Sequence, residues 1–211
     1  MIREIYRKQF TPFYFYTMLS LVLGAAAMTS DTRSISGILI LVLSGVLTWG
    51  LIEYCLHRLI FHFDARTEKG RNFVYGMHLS HHANPKSKDD LFTSLRVSLP
   101  IALSYCAVAW ALLRSWQATV YLFIGLTAGY FSYEFLHYQA HHSAPRSRLF
   151  RYLKRYHLLH HHQNSALRFG VTSPVFDYLF GTFQSTHRNR MIAPGVDGPK
   201  PCSADSSLSQ G

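Results

Sequence analysis

The chain has 211 residues, of which 48% are hydrophobic, and a formal net charge of +10. Because its Lys and Arg flank long apolar segments and do not form a separate basic domain, this charge fits anionic lipid headgroups better than nucleic acid. Cys55, Cys106 and Cys202 show no pairable spacing, so the sequence implies no disulfide framework.

Four apolar segments predict transmembrane helices, since each is long enough, or nearly so, to cross a hydrocarbon core of about 30 Å. The first segment lacks a small-residue cleavage site, so we expect a retained span and not a removed signal peptide. Two short connections, Ser30–Ser34 and Arg114–Gln117, join the segments into two helical hairpins. The segments lie at about Thr11–Thr29, Ile35–Ile52, Leu95–Leu113 and Ala118–Tyr133.

The basic residues are distributed unevenly along the chain. Of the 21 Lys and Arg, Arg33 and Arg114 are the only two in the hairpin connections. The positive-inside rule therefore predicts a multi-pass protein with both termini in the cytoplasm. The histidine-rich segments then lie on the cytoplasmic side as well, which one shared site requires.

The C-terminal part contains a further helix and a tail. Ser147–His162 predicts a basic amphipathic helix, with Leu153 on the apolar face and Arg151 on the basic face. We expect residues 1–192 to form a single membrane domain. Residues 193–211 are rich in Pro, Gly and Ser, which predicts a disordered tail.

One histidine pattern occurs twice. In each half a histidine pair is followed, sixteen positions after its second member, by an H-x2-H-H box. Imidazole suits iron, copper and zinc, and ten clustered imidazoles are enough for two metal ions. A dinuclear histidine site on a membrane protein indicates dioxygen chemistry on lipid. The ten residues are His57, His62, His78, His81, His82, His137, His141, His157, His160 and His161.

Helix geometry predicts how these histidines converge. Residues at i, i+3 and i+4 share one helix face, so each box is expected to point at one spot, as is the pair His137 and His141. His57 and His62 are five apart, about 140° on an ideal helix, so the helix must bend or end between them. The alternative, that such histidines are surface residues, weakens with each repeat of the pattern.

Two carboxylates precede the histidine pairs. Glu53 comes four residues before His57 and Glu134 three before His137. Ligating histidines commonly donate their second N–H to a carboxylate, so both glutamates are expected to orient these rings. The alternative is a carboxylate at the membrane interface.

The pattern of histidines and neighbouring residues resembles the fatty acid hydroxylase superfamily, and most of all its fatty acid 2-hydroxylase branch. The similarity covers about Leu51–Phe183. It includes, beyond the histidines, Glu53-Tyr54-x-x-His57-Arg58, Gly129-Tyr130, Tyr133-Glu134-x-x-His137-Tyr138, Phe169-Gly170-Val171-Thr172 and Phe176-Asp177-Tyr178.

The resemblance implies an all-α integral membrane fold, with four transmembrane helices in two hairpins and a cytosolic helical cap that holds two iron ions. It implies that the ten histidines are the ligands, whereas His142, His162 and His187 lie where the family does not require histidine. The implied activity is hydroxylation of the acyl chain of a fatty acid or lipid, with dioxygen and two external electrons. Zinc is expected to replace iron on overexpression, because it binds nitrogen donors more tightly than ferrous iron.

The electron donor is expected to act in trans, because no haem domain precedes the first span. A b-type cytochrome, or a ferredoxin with its reductase, would supply the electrons. This expectation favours a bacterial inner membrane over the endoplasmic reticulum. The candidate contacts for a substrate headgroup are Arg58, Lys86, Lys88 and Arg168.

Two other functions stay open. A lipid or sterol desaturase would use the same di-iron site and remove a second hydrogen. A haem- or metal-binding membrane protein without hydroxylase activity is the alternative of another class. Haem would need histidines within facing spans, whereas these histidines lie beyond the apolar segments.

Overall fold

The computed structural model of the protein describes residues 2–87 and 91–186, with side chains of the first helix from Thr11 onward. Every regular element in these ranges is helical. The elements are α1 (Ile2–Met28), α2 (Ile35–Cys55), a π-helical turn (Leu56–Phe61), α3 (Glu68–Val74), a second π-helical turn (Tyr75–Leu79), α4 (Ser80–Ala83), α5 (Leu95–Leu113), α6 (Trp116–His142), α7 (Arg148–His162) and α8 (Val175–Leu179).

Three of the described helical segments are long and apolar enough to cross a membrane: Thr11–Met28, Ile35–Phe61 and Leu95–Leu113. They confirm helices over the first three predicted spans. The fourth predicted span lies within α6, which is as long as α1 but is not among the three candidate spans, and half of its residues are buried by other parts of the protein. Its role as a membrane span stays a prediction.

The two predicted hairpin connections are confirmed as helix breaks with local causes. Ser34 and Ser115 cap α2 and α6, each accepting a hydrogen bond from the backbone N–H three residues on. Arg114 ends α5 in the left-handed conformation, with φ of 51°. The connections also meet: Arg33 pairs with Asp31 at 2.8 Å and donates to Ser115 Oγ at 2.9 Å.

Helices α2 and α6 form the central pair, and two glycines allow their close approach. A Cβ atom at Gly45 would lie 2.2 Å from the Leu122 carbonyl oxygen, and one at Gly125 would lie 2.0 Å from the Val42 carbonyl oxygen. Small residues at a helix crossing let the backbones touch. Because the two helices run side by side, the histidines at their C-terminal ends lie at the same end of the fold.

The core beside this pair is aromatic. Tyr16, Trp49, Phe123, Tyr130 and Tyr133 form one buried cluster in which α1, α2 and α6 meet. Tyr130 packs edge-on against both Trp49 and Tyr16, with ring centroids 5.3 and 5.8 Å apart. This core separates the hairpin connections at one end of the fold from the histidines at the other.

The remaining helices cover the histidine end. The predicted amphipathic helix is confirmed as α7, which buries Leu153, His157 and His160 and leaves Arg151 and Arg155 exposed. The predicted disordered tail, 193–211, lies outside the described residues, as do Lys88 and His187.

Candidate metal centre

The ten predicted histidines come together as two clusters of five. The donor nitrogen atoms within each cluster all lie within 4.8 Å of one another. One cluster, called the first here, contains His57, His62, His78, His82 and His160; the second contains His81, His137, His141, His157 and His161.

Each cluster draws four histidines from its own half of the chain and one from the other half. The exchanged residues are His81 and His160, the middle histidines of the two boxes. The expectation that each box points at one spot is therefore wrong. Adjacent positions on a helix differ by about 100°, so His81 faces away from His82 and toward the second cluster.

The spacing of the Nε2 atoms fits a shared ion better than a set of imidazole hydrogen bonds. In the second cluster His81 Nε2 lies 2.9 Å from His137 Nε2 and 3.1 Å from His141 Nε2, and His157 Nε2 lies 2.9 Å from His141 Nε2. Ligands at right angles around an ion with bonds of about 2.1 Å would be about 3.0 Å apart. A neutral ring has one N–H, so it cannot donate to two neighbours at once.

The other ring nitrogens explain why Nε2 is free to bind. His57 Nδ1 faces the Phe169 carbonyl oxygen, and His160 Nδ1 lies 2.7 Å from the Leu167 carbonyl oxygen. A carbonyl accepts only, so the N–H of each ring lies on Nδ1 and the lone pair on Nε2. The buried His57 Nε2 has no hydrogen-bond partner, which suits a metal ligand.

The environment keeps these imidazoles neutral, as metal binding requires. Burial lowers the pKa of His62 and His81 to about 4 and that of His160 to about 3. Burial first, and neighbouring imidazoles second, hold the pKa of His78 and His157 well below its usual value.

The pair His57 and His62 is brought together by a π-helical turn. The turn covers Leu56–Phe61 and His62 follows it directly. Its hydrogen bonds run from i to i+5, so residues five apart lie one above the other. The ring centroids are 5.1 Å apart. The helix was expected to bend or end between His57 and His62; it changes from α-helical to π-helical geometry instead.

The two glutamates support the site differently from the expectation. Glu53 accepts hydrogen bonds from the backbone N–H of Val171 and Thr172 and from the Thr172 hydroxyl, and not from His57. It holds the loop whose Phe169 carbonyl receives His57 Nδ1–H. The expected direct hydrogen bond was wrong because a loop more than 100 residues away in sequence occupies the carboxylate.

Glu134 has an analogous arrangement. It accepts a hydrogen bond from Thr93 N at 2.9 Å, two residues after Leu91, whose backbone lies beside the His137 ring. The direct bond to His137 that the sequence suggested is again replaced by a contact to the neighbouring backbone.

Asp177 was missed as a site residue, although its motif was recognised. It is fully buried and accepts hydrogen bonds from Phe169 N at 2.8 Å and Gly170 N at 2.7 Å. A Cβ atom at Gly170 would lie 2.1 Å from the Ser173 carbonyl oxygen, so this tight loop requires glycine. Burial raises the pKa of Asp177, against the opposing hydrogen bonds from Thr182 and these amides.

The candidate headgroup residues that the structure describes differ in exposure. Arg168 is 1% exposed, and its guanidinium donates to the side chains of Gln163 and Gln184, so the headgroup contact expected for it stays a prediction. Its backbone is in the left-handed conformation, with φ of 64°. Arg58 is exposed and donates to the Tyr54 hydroxyl; Lys86 is exposed as well.

The two histidines that directly follow predicted ligands stand apart from the clusters. His142 packs on Tyr138, with ring centroids 5.1 Å apart, and His162 is exposed at the end of α7. Neither donates a nitrogen to the two groups of five.

A narrow, mostly apolar cavity reaches the first cluster from within the helical bundle. Glu53, His57 and Phe61 line one end, and Tyr16 and Phe123 line the other. The space between its lining side chains, counting the open mouth, is about 600 Å³. An alkyl chain fits the chemistry of these walls.

Comparison with known proteins shows which family has this sequence. Residues 42–182 match the fatty acid hydroxylase family. The dihydroceramide fatty acyl 2-hydroxylase FAH2 of Arabidopsis thaliana is 34% identical over 148 residues, which are 68% of this chain and 60% of that protein. The ceramide very long chain fatty acid hydroxylase SCS7 of Saccharomyces cerevisiae is 37% identical over 66% of this chain and 36% of that protein.

A solved structure agrees with these matches. It is described as full-length scs7p with only the hydroxylase domain visible, and it has a TM-score of 0.75 and 30% identity over 85% of this chain and 68% of that chain. The present chain spans 60% or less of the length of the two relatives above. The matched region includes both histidine clusters, and the chain belongs to the fatty acid hydroxylase family.

Proposed function

We propose that this chain is a membrane-bound di-iron monooxygenase that hydroxylates the acyl chain of a fatty acid or acyl lipid. One observation carries the proposal: the apolar cavity ends at His57, a member of the first five-histidine cluster. The curated relatives above are named as fatty acyl hydroxylases, which supports the same reaction class.

The ten clustered histidines would hold two iron ions, five ligands to each. Bound iron supplies the reaction with dioxygen and the electron transfer that amino-acid side chains cannot perform. Neutral imidazoles with converging lone pairs suit iron, and also zinc, which is expected to occupy the site on overexpression.

The protein's own residues hold and align the acyl chain. Trp49, Tyr130 and Tyr133 line the cavity and exclude water from the path to His57. The Phe169 and Leu167 carbonyls fix the rings of His57 and His160, and Glu53 fixes the loop that carries Phe169. This shell keeps the donor nitrogens in place whether or not substrate is present.

The membrane arrangement that we propose has α6 as the fourth span and the histidine end in the cytoplasm. The contact between Arg33 and Ser115 joins the two hairpin connections on the opposite side, which supports two paired hairpins. A separate cytosolic donor, a b-type cytochrome or a ferredoxin with its reductase, would reach the histidine end and supply the two electrons.

The test is lipid mass spectrometry of host cells that express the wild-type protein, compared with the variants His81→Ala and His142→Ala. We expect acyl chains that gain one oxygen atom with the wild type and His142→Ala, and none with His81→Ala. Chains that lose two hydrogens instead would assign a desaturase. An unchanged lipid profile in cells with folded, iron-loaded protein and an electron donor would assign a metal-binding protein without hydroxylase activity.

A further inference from the structure

A second apolar space lies next to the far end of the cavity that reaches His57, which we call the inner cavity. It is a groove between α1, α5 and α6 that extends toward Trp110 and Trp116, at the hairpin-connection end of the fold. Its walls present apolar side chains such as Leu19, Leu23 and Leu99. Unlike the inner cavity, this groove is lined by none of the clustered histidines.

Three residues line both spaces: Tyr16 on α1, Ala102 on α5 and Phe123 on α6. They belong to one buried core cluster, and each is less than a tenth exposed. The inner cavity and the outer groove are therefore neighbours, and these three residues, two aromatic and one small, lie at the boundary between them. We call this boundary the constriction.

The two spaces follow each other along the spans. On α6 the inner cavity is lined between Tyr133 and Phe123, and the outer groove between Phe123 and Trp116. At 1.5 Å per residue these stretches measure about 15 Å and about 10 Å. Together they cover most of a hydrocarbon core of about 30 Å, so a long acyl chain can lie along α6 from the histidine end.

The aromatic members of the constriction are held in place. The Tyr16 hydroxyl donates to Ser98 Oγ at 3.1 Å. The Tyr16 ring packs against Phe123 and Tyr130, with centroids 6.1 and 5.8 Å apart. Because both large rings are fixed by neighbours, the small side chain of Ala102 determines the width that is left.

We propose that Tyr16, Ala102 and Phe123 determine which acyl-chain lengths this protein accepts. The inference rests on the proposed function and adds its chain-length specificity. A short chain ends in the inner cavity. A longer chain passes the constriction at Ala102 and places its tail in the outer groove.

The experiment compares Ala102→Leu with Ala109→Leu, the matched change on the same helix. Ala109 is also buried but lines neither space. The full-length protein is expressed in cells supplied with saturated fatty acids of graded length, and the lengths of the hydroxylated acyl chains are measured. We expect Ala102→Leu to lower the ratio of long to short products about tenfold or more, the usual size of a discrimination by a few methylenes, and Ala109→Leu to leave the ratio unchanged.

One further variant keeps the inference testable if Ala102→Leu does not fold. Phe123→Leu is expected to raise the ratio of long to short products. An unchanged ratio in folded Ala102→Leu and Phe123→Leu proteins, or an equal shift in Ala109→Leu, would mean that bulk lipid merely fills the groove and would overturn the inference.

A binding readout separates this inference from the proposed function. Purified protein is heated in detergent with the same fatty acids, and the rise of Tm is recorded against chain length. We expect Ala102→Leu to abolish the additional rise produced by the longest acids. If the wild type hydroxylates nothing yet shows this length dependence, the proposed reaction fails and the constriction stands; identical profiles for wild type and Ala102→Leu overturn the constriction.

Discussion

His81 and His160 occupy equivalent places in the two H-x2-H-H boxes, and each reaches into the cluster built by the other half of the chain. His81 Nε2 lies 2.9 Å from His137 Nε2, and His160 Nε2 lies 3.1 Å from His62 Nε2. The exchange links the two halves, because neither cluster is complete without the other half of the chain.

Pairs of substitutions test this exchange. His81→Ala is expected to remove the metal of the second cluster and leave about one ion per chain out of about two. Adding His157→Ala should remove nothing further, because both residues serve the same cluster, whereas adding His78→Ala should remove the remaining ion. Elemental analysis of purified, chelator-washed protein measures this. The opposite pattern would contradict the exchange. If His78→Ala removes no further ion and His157→Ala removes the remaining one, His81 is a ligand of the first cluster.

Adjacent histidines are expected to differ sharply in their effect on metal binding. His142→Ala and His162→Ala should retain metal and most activity, because neither side chain belongs to a cluster. His141→Ala and His161→Ala should lose both. Metal content and hydroxylated-lipid yield are measured side by side for the four proteins. If His162→Ala loses metal and His161→Ala retains it, the ligand in the second box is His162 and not His161.

The sequence was sufficient for the long helices and for the ten histidines that cluster, since both depend on short-range patterns. Apolar length predicts α1, α2 and α5, and the repeated spacing selects these ten from the thirteen histidines of the chain. The division into clusters was not predictable, because it depends on the side on which the other box packs. The π-helical turn before His62 is likewise a tertiary outcome.

The contacts of the loop after α7 could not be predicted from the sequence either. Glu53 binds Val171 across 118 positions, and Asp177 binds Phe169 through a turn that only the folded loop defines. Arg is usually exposed, so the sequence did not indicate that Arg168 would be buried. Its guanidinium lies in the interior and donates to the side chains of Gln163 and Gln184.

Asp177→Ala is expected to loosen the loop that positions His57. The backbone N–H groups of Phe169 and Gly170 would lose their acceptor, at a cost of about 1–3 kcal/mol each. The His57 ring would be held less firmly, and metal retention should fall about ten- to a hundredfold. Thermal unfolding in detergent and the rate of metal loss to a chelator measure the two effects.

The matched control is Tyr178→Ala, the next residue on α8, whose side chain is 78% exposed. It should change neither quantity. If Asp177→Ala retains the wild-type Tm and metal, the carboxylate does not support the site.

Acidification is expected to destabilise the metal-free protein over a defined range. His62 and His81 have pKa values of about 4 in the folded protein, below the ordinary value near 6.5. Between these values the unfolded chain binds protons that the folded chain refuses, so stability falls as pH drops from about 6.5 to about 4. The Tm of metal-free protein should be nearly flat from pH 8 to 7 and fall steadily below about 6.5. A Tm that rises on acidification through this range would mean that the buried imidazoles are charged in the folded state.

The metal content of the wild-type protein tests the account most directly. Protein is purified without added metal from cells grown with iron, and iron and zinc are counted per folded chain by elemental analysis. Two groups of five imidazoles predict about two ions per chain, iron in active preparations, because five ligands suit one ion and ten exceed what one ion can use. One ion, or none, in well-folded protein would contradict the dinuclear centre and the hydroxylation chemistry derived from it.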